Sequence, residues 1–290
     1  MRTEDGAAPQ PVRLADYRPP DWLIDETALV FDLDPKATRV RARLSVRRNP
    51  AAEGPRPDFR LDGEALRLLS AAIDGAPVAP QVGATGLTVP ADALPGDAFT
   101  WEAETEIDPS ANTALEGLYL SNGMYCTQCE AEGFRKITYF PDRPDVMSIY
   151  EVRIEADVET CPVLLSNGDP VERGPVGDGG HYAVWRDPHR KPCYLFALVA
   201  GDLRAEKRPY RTASGRDVEL ALWVRPGDEG KTAYALDSLE RSMRWDEREY
   251  GREYDLDVFN VVAVSDFNMG AMENKGLNIF NSKYVLASPE

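Results

Sequence analysis

"RVRARLSVRR", residues 39–48, places Val40, Ala42, Leu44 and Val46 on one side of an extended chain and Arg39, Arg41, Arg43 and Arg47 on the other. A period of two with one apolar side is the pattern of a β-strand that has one wet face. The same alternation returns in "AFTWEAETEID" at 98–108, where Phe99, Trp101, Ala103 and Ile107 oppose Glu102, Glu104, Glu106 and Asp108. It returns again in "YEVRIEAD" at 150–157, through Tyr150, Val152, Ile154 and Ala156. Turn signals such as "LDPK", "DGAP" and "SNGDP" separate the runs, and no long helical pattern precedes residue 200. The first two hundred residues therefore read as a mostly antiparallel β domain, a sandwich or a saddle-shaped sheet.

Beyond "CYLFALVAGDL" the character changes. "VELALWV" at 218–224 reads as a strand, and "EGKTAYALDSLERSMRWDEREYG" as a helix. Leu236, Leu239 and Met243 fall at i, i+3 and i+7, and Gly251 is placed to end that helix. "LDVFNVVAV" at 256–264 reads as a buried strand. The expected division is an arm at 1–16, a β domain at 17–202 and a mixed α/β domain from 203 to 290.

Net charge is −16 over 290 residues, with 49 acidic against 33 basic side chains. Phosphate binding needs a basic face, so nucleic acid is excluded as an expected partner. The longest apolar run, "CYLFALVAG" at 193–201, is too short to span a bilayer, and no membrane partner is expected. "MRTEDGAAPQPVRLADYRPP" at the start has no apolar run of the kind a signal peptide requires, so the expected location is cytoplasmic.

"CTQC" at 126–129 lacks a second pair for a zinc site and a βαβ setting for a redox pair, so it reads as two thiols in a loop. Cys161 and Cys193 are isolated, and neither His181 nor His189 belongs to a His-Glu-x-x-His run. No serine nucleophile elbow, phosphate loop or dinucleotide fingerprint is present.

Two stretches remain. In "QCEAEGFRKITYFPDRPD", Gln128, Glu130 and Glu132 alternate with Cys129 and Ala131, so an extended chain would point the carboxylates to one face. That is either a wet strand face or a place that wants a cation, such as the protonated α-amino group of a peptide. In "NMGAMENKGLNIFNSKY" at 268–284, Gly270 and Ala271 let another backbone come close, and Glu273 offers a carboxylate beside them.

Together these stretches resemble the zinc aminopeptidase N family, in its bacterial branch. Gly-Ala-Met-Glu-Asn stands at 270–274 and Gln-x-Glu at 128–130, with "NTALEGLY", "CEAEGFR", "DRPD" and "KPCYLFALVAGD" around them. The resemblance covers the chain from about residue 17. It implies a saddle-like N-terminal β-sandwich domain followed by the start of a thermolysin-like α/β catalytic domain, and an exopeptidase that releases N-terminal amino acids. Carried over residue by residue, Glu130 and Glu273 would grip the free α-amino group. Gly270, Ala271, Met272 and Asn274 would form the strand beside the substrate, with Met269 cushioning the first side chain and Gln128 lining the same pocket. The partners implied are peptides with a free N-terminus.

The chain departs from the family pattern at "VLASPE". In the family the His-Glu-x-x-His helix, a third zinc ligand and an oxyanion-stabilising tyrosine all follow this point. The expectation is therefore an N-terminal portion whose general base, oxyanion tyrosine and metal ligands lie beyond Glu290. Zinc would belong to the full-length parent and not to this chain, which alone would be inactive and would lack a C-terminal partner segment. The alternative is a non-catalytic module that binds peptide N-termini.

Overall fold

Two strands that carry the alternation, Thr38–Arg48 and Ala98–Ile107, lie side by side in the computed structural model, which describes residues 13–288, and the third, Met147–Asp157, is separated from them by Trp22–Asp32. Their sheet has eight strands, ordered Asp169–Val176, Gly180–Pro192, Met147–Asp157, Trp22–Asp32, Thr38–Arg48, Ala98–Ile107, Arg67–Ile73 and Ala76–Pro77. Register explains the pairing of Thr38–Arg48 with Ala98–Ile107. Arg39, Arg41 and Arg43 stand opposite Glu106, Glu104 and Glu102, so opposite charges face each other across the wet side. These pairs are exposed, with Arg43 3.4 Å from Glu102, and they favour register more than stability. One neighbouring pair is parallel, Trp22–Asp32 with Met147–Asp157.

The apolar side of this sheet shares one core with two smaller sheets. The first is Phe59–Asp62, Gly86–Val89 and Gln81–Gly83; the second is Val163–Ser166, Leu198–Gly201, Met124–Gln128 and Gly117–Ser121. Phe59 meets Trp22, Phe99 and Trp101 edge-on at 6.0, 5.1 and 5.6 Å between ring centroids. The "CYLFALVAG" run becomes a 3₁₀ turn, Cys193–Leu195, and the inner strand Leu198–Gly201, whose four residues are all buried. A strand covered on both faces needs apolar residues at every position.

A fourth sheet begins at Arg204. Its order is Arg204–Arg211, Asp217–Val224, Val258–Val264, Leu277–Asn281 and Ala271–Met272. The helix Ala233–Tyr250 links Asp217–Val224 to its parallel neighbour Val258–Val264, and Gly251 ends it in the left-handed conformation at φ 62°. Val261 and Ala263 pack towards the helix with Leu236 and Met243, while Val262 and Val264 join the large core. The stretch 261–264 is apolar at every position because both of its faces are covered.

Residues 1–12 of the expected arm lie outside the described residues. Leu14–Asp16 forms one exposed 3₁₀ turn, and the Tyr17 hydroxyl donates to Asp145 Oδ2 at 3.0 Å. No helix among the described residues is long and apolar enough to cross a membrane.

Candidate amine-recognition site

A two-residue loop builds one half of the site. Gly117–Ser121 and Met124–Gln128 pair as a hairpin around Asn122 and Gly123, at φ 49° and 85°. Positive φ at both positions is what a tight Asn-Gly hairpin loop requires. The hairpin delivers Gln128 to the end of its second strand, where the side chain is only 3% exposed. There the chain turns. The Gly133 amide donates to the Cys129 carbonyl at 2.8 Å, and a Cβ on Gly133 would sit 2.4 Å from the Gln128 carbonyl oxygen. Only glycine fits so close a return.

This turn corrects the alternating reading of 128–132. The extended chain stops at Gln128, so Glu130 and Glu132 do not share a strand face. Glu132 instead lies 3.4 Å from Arg135, three residues on, while Glu130 stays exposed. Of the two thiols of "CTQC", Cys126 is within the strand and not in a loop, while Cys129 directly follows it and opens the turn, and both are buried. Burial pushes the Cys126 thiol up to about 12 and holds Cys129 and Cys193 well above the ordinary thiol range. All four cysteines are free and buried. The folded protein is expected to leave a disulfide thiol reagent at pH 8 unreacted until denaturant releases all four. A thiol that reacts quickly in the native state would contradict this burial.

The other half comes from 266–281. Ala271–Met272 pairs with Phe280 and Ile279 and is the last strand of its sheet, so its other edge has no strand neighbour among the described residues. Met272 and Asn274 are buried, whereas Met269, Gly270, Ala271 and Glu273 are exposed. Behind the run, Gly276 at φ 80° lies so near Gly168 that a Cβ would come within 2.7 Å of its amide nitrogen. Asn167 Nδ2 donates to the Lys275 carbonyl at 3.0 Å, and Lys275 Nζ reaches both oxygens of Asp255 at 2.6 and 2.8 Å.

The halves meet at one amide. Gln128 Nε2 donates to the Glu130 carbonyl at 3.3 Å and lies 3.5 Å from Met269 Sδ. The turn carrying Glu130 and the run carrying Glu273 therefore adjoin, although 143 positions of chain separate the two glutamates. Among the described residues, neither carboxylate has an ion-pair or hydrogen-bond partner for its side chain, while Gln128 Oε1 and Asn274 Oδ1 are buried without one. An open sheet edge with two free carboxylates beside it can take an extended chain by strand addition and a cation at that chain's end.

Sequence reading missed the residues that hold the halves together. Asp266 accepts hydrogen bonds from Ser121 Oγ at 2.7 Å and Asn122 Nδ2 at 3.0 Å, and its carbonyl accepts from the Tyr119 hydroxyl at 2.9 Å. Asn268 Nδ2 donates to the Ala114 carbonyl at 2.9 Å. Arg225 donates to the Ser121 carbonyl and to Ser265 Oγ. The one local signal is the polar pair Ser265-Asp266 at the end of an apolar strand, which reveals no partner.

Metal chemistry finds no donors here. Among the described residues, no group of three or more His, Cys, Asp or Glu side chains could hold a metal ion. His181 Nε2 lies 2.7 Å from the Cys161 carbonyl, and His189 Nε2 lies 3.3 Å from Asp255.

Residues 234–290 match the peptidase family M1 domain, and residues 88–195 match the peptidase M1 N-terminal domain. The chain is 58% identical to aminopeptidase N of Caulobacter vibrioides, across 100% of this chain and 33% of that protein. It is 50% identical to aminopeptidase N of Escherichia coli, across 96% of this chain and 32% of that one. A crystal structure of Legionella pneumophila aminopeptidase A in complex with aspartic acid superposes with a TM-score of 0.91 at 35% identity, covering 96% of this chain and 33% of that chain. The chain thus spans about a third of the length of these relatives.

Proposed function

We propose, from the premise that this chain belongs to the peptidase M1 family and is like the first third of bacterial aminopeptidase N, that it carries the amine-recognition half of a zinc aminopeptidase. The observation that supports this reading is the Gln128–Met269 contact, which joins the turn carrying Glu130 to the run carrying Glu273, two exposed glutamates without side-chain partners among the described residues. Glu130 and Glu273 take the protonated α-amino group of a peptide through charge-assisted hydrogen bonds. Ala271 presents edge backbone to the extended substrate, and Met269 offers a flexible thioether to its first side chain. Met272 and Asn274, both buried, anchor that edge from behind. An internal peptide bond has no ammonium to hold, so such a clamp selects chain ends.

Zinc belongs, in this proposal, to the full-length protein. The described residues do not fit it, because no group of three or more His, Cys, Asp or Glu side chains among them could hold a metal ion. The same proposal includes the division into 17–202 and 203–290, a cytoplasmic location, peptides with free N-termini as partners, and no activity for the 290-residue chain by itself.

The test compares a leucyl peptide with its N-acetylated form on the full-length gene product. Release of leucine from the free-amine peptide alone is the expected result. Equal cleavage of both would remove the clamp reading. A native product that binds free-amine peptides without cleaving them would favour a non-catalytic binding module.

A further inference from the structure

The edge strand that carries the proposed clamp is short. Ala271–Met272 pairs on one side only, through Phe280 and Ile279. One residue of slip along a strand moves a side chain by roughly 3.3 Å and turns it to the other face. A site that grips an ammonium needs its carboxylates within about 0.5 Å of the productive position. That pairing, with the Asn281 amide donating to the Gly270 carbonyl at 2.9 Å, fixes the run against its own sheet and not against the hairpin that leads to Glu130, so contacts outside the sheet set where Glu273 stands relative to Glu130.

The run is tied down at its rear by Lys275 and Gly276, and those ties reach Asp255, Asn167 and Gly168. None of these belongs to the hairpin that delivers Glu130. The ties to that hairpin and the loop before it lie in front, at 266–269. Asn268 reaches the loop at Ala114, and Met269 offers one sulfur contact to Gln128. Asp266 alone makes three bonds to the hairpin itself, to Tyr119, Ser121 and Asn122. Ser121 is fully buried and is held in turn by Arg225, whose guanidinium also holds Ser265. The connection therefore runs from the hairpin tip into the run that leads to Glu273, through the Asp266 carboxylate together with the Asp266 carbonyl and the Arg225 guanidinium, and of these only the carboxylate belongs to the Asp266 side chain.

We propose that Asp266 is the positioning residue of the amine clamp: its carboxylate locks the 269–273 run in register against the 117–128 hairpin and so sets the spacing of Glu130 and Glu273. This rests on the amine-recognition reading above. Ser121 Oγ and Asn122 Nδ2 both donate to the same oxygen, Oδ2. An asparagine that places its single oxygen there keeps both bonds, whereas an alanine keeps neither. Asp266 is itself exposed and takes no part in either hydrophobic cluster, so its loss bears on register before it bears on the core.

The experiment uses the full-length gene product and two competitive inhibitors, L-leucinamide and its des-amino analogue 4-methylpentanamide. The ratio of their inhibition constants reads the clamp, because the two differ only in the amino group. In Asp266→Ala the preference for leucinamide is expected to fall about tenfold, with a rise of the same order in KM and a smaller change in kcat. Asp266→Asn should stay within about twofold of the wild type. A residue that merely supports folding would lower the amount of active protein and leave the ratio unchanged, and that result overturns the proposal. An Asp266→Asn protein that behaves like Asp266→Ala also overturns it. Should Asp266→Ala not fold, Asn122→Gly removes one of the two bonds while suiting the positive φ at that position, and the same ratio is read. Glu273→Ala separates the two claims. If it abolishes the preference and Asp266→Ala does not, only the positioning role fails. If Glu273→Ala leaves the preference intact, the clamp itself fails.

Discussion

Replacing Lys191 by methionine is expected to destabilise the fold by about 3–5 kcal/mol, because it strands a buried carboxylate. The Lys191 side chain is 3% exposed and that of Asp187 is not exposed at all, with Nζ and Oδ2 3.1 Å apart. The ammonium also lies 3.9 Å from the centre of the Tyr150 ring, whose face is electron-rich. Asp187 Oδ1 already accepts from the His189 amide at 3.0 Å, so asparagine at 187 can keep that bond. The double variant Asp187→Asn/Lys191→Met leaves no uncompensated charge and should recover most of the loss. Burial lowers the Lys191 pKa from the ordinary 10.5 to about 8, against the raising effect of Asp187. Below pH 8 the lysine is charged in both folded and unfolded states, and the cost of burying it is fully present. Between about 8 and 10.5 the unfolded chain binds the extra proton, so the wild type gains stability as pH rises. The gap between wild type and Lys191→Met should therefore widen from pH 7 to pH 9.5 in urea titrations. A gap that does not change with pH would contradict this.

Removing Glu130 or Glu273 should cost activity without costing stability. Each exposed carboxylate is free of side-chain partners among the described residues, and surface changes of that kind usually shift stability by less than about 0.5 kcal/mol. A hydrogen bond between charged groups contributes roughly 1.5–3 kcal/mol, which corresponds to about a 10- to 150-fold effect. In the full-length gene product, Glu130→Ala and Glu273→Ala are each expected to lower kcat/KM on free-amine peptides by about that factor. Melting temperatures should stay near that of the wild type. The double variant should lose less than the product of the two, because both groups act on one ammonium. Unchanged kinetics in both single variants would end the assignment, and a large fall in melting temperature would recast either glutamate as structural.

The strands at 39–48, 98–107 and 150–157 were legible because a half-wet sheet forces a period of two. The Arg39, Arg41 and Arg43 ladder opposite Glu106, Glu104 and Glu102 was legible in part, since each side carries one sign of charge. The helix was legible from Leu236, Leu239 and Met243, and its end from Gly251. The parallel pairing of Trp22–Asp32 with Met147–Asp157 was not, because nothing local marks which distant strand a strand will meet. The misread alternation at 128–132 has a local cause: polar and small residues alternate there as they would in a strand, and the close return at Gly133 depends on the neighbouring backbone.

Sequence alone determined the kinds of element, the acidic surface and the two motifs that resemble aminopeptidase N, since propensity, periodicity and motif spacing are written in neighbouring residues. Only the tertiary structure decided that Gln128 touches Met269, that Ala271–Met272 is a sheet edge, and that Asp266 joins the hairpin to the strand. The first and the last are contacts between segments more than a hundred residues apart. They exist because burying the apolar faces of the sheets leaves few ways to bring the segments together, and no short window of sequence records that choice.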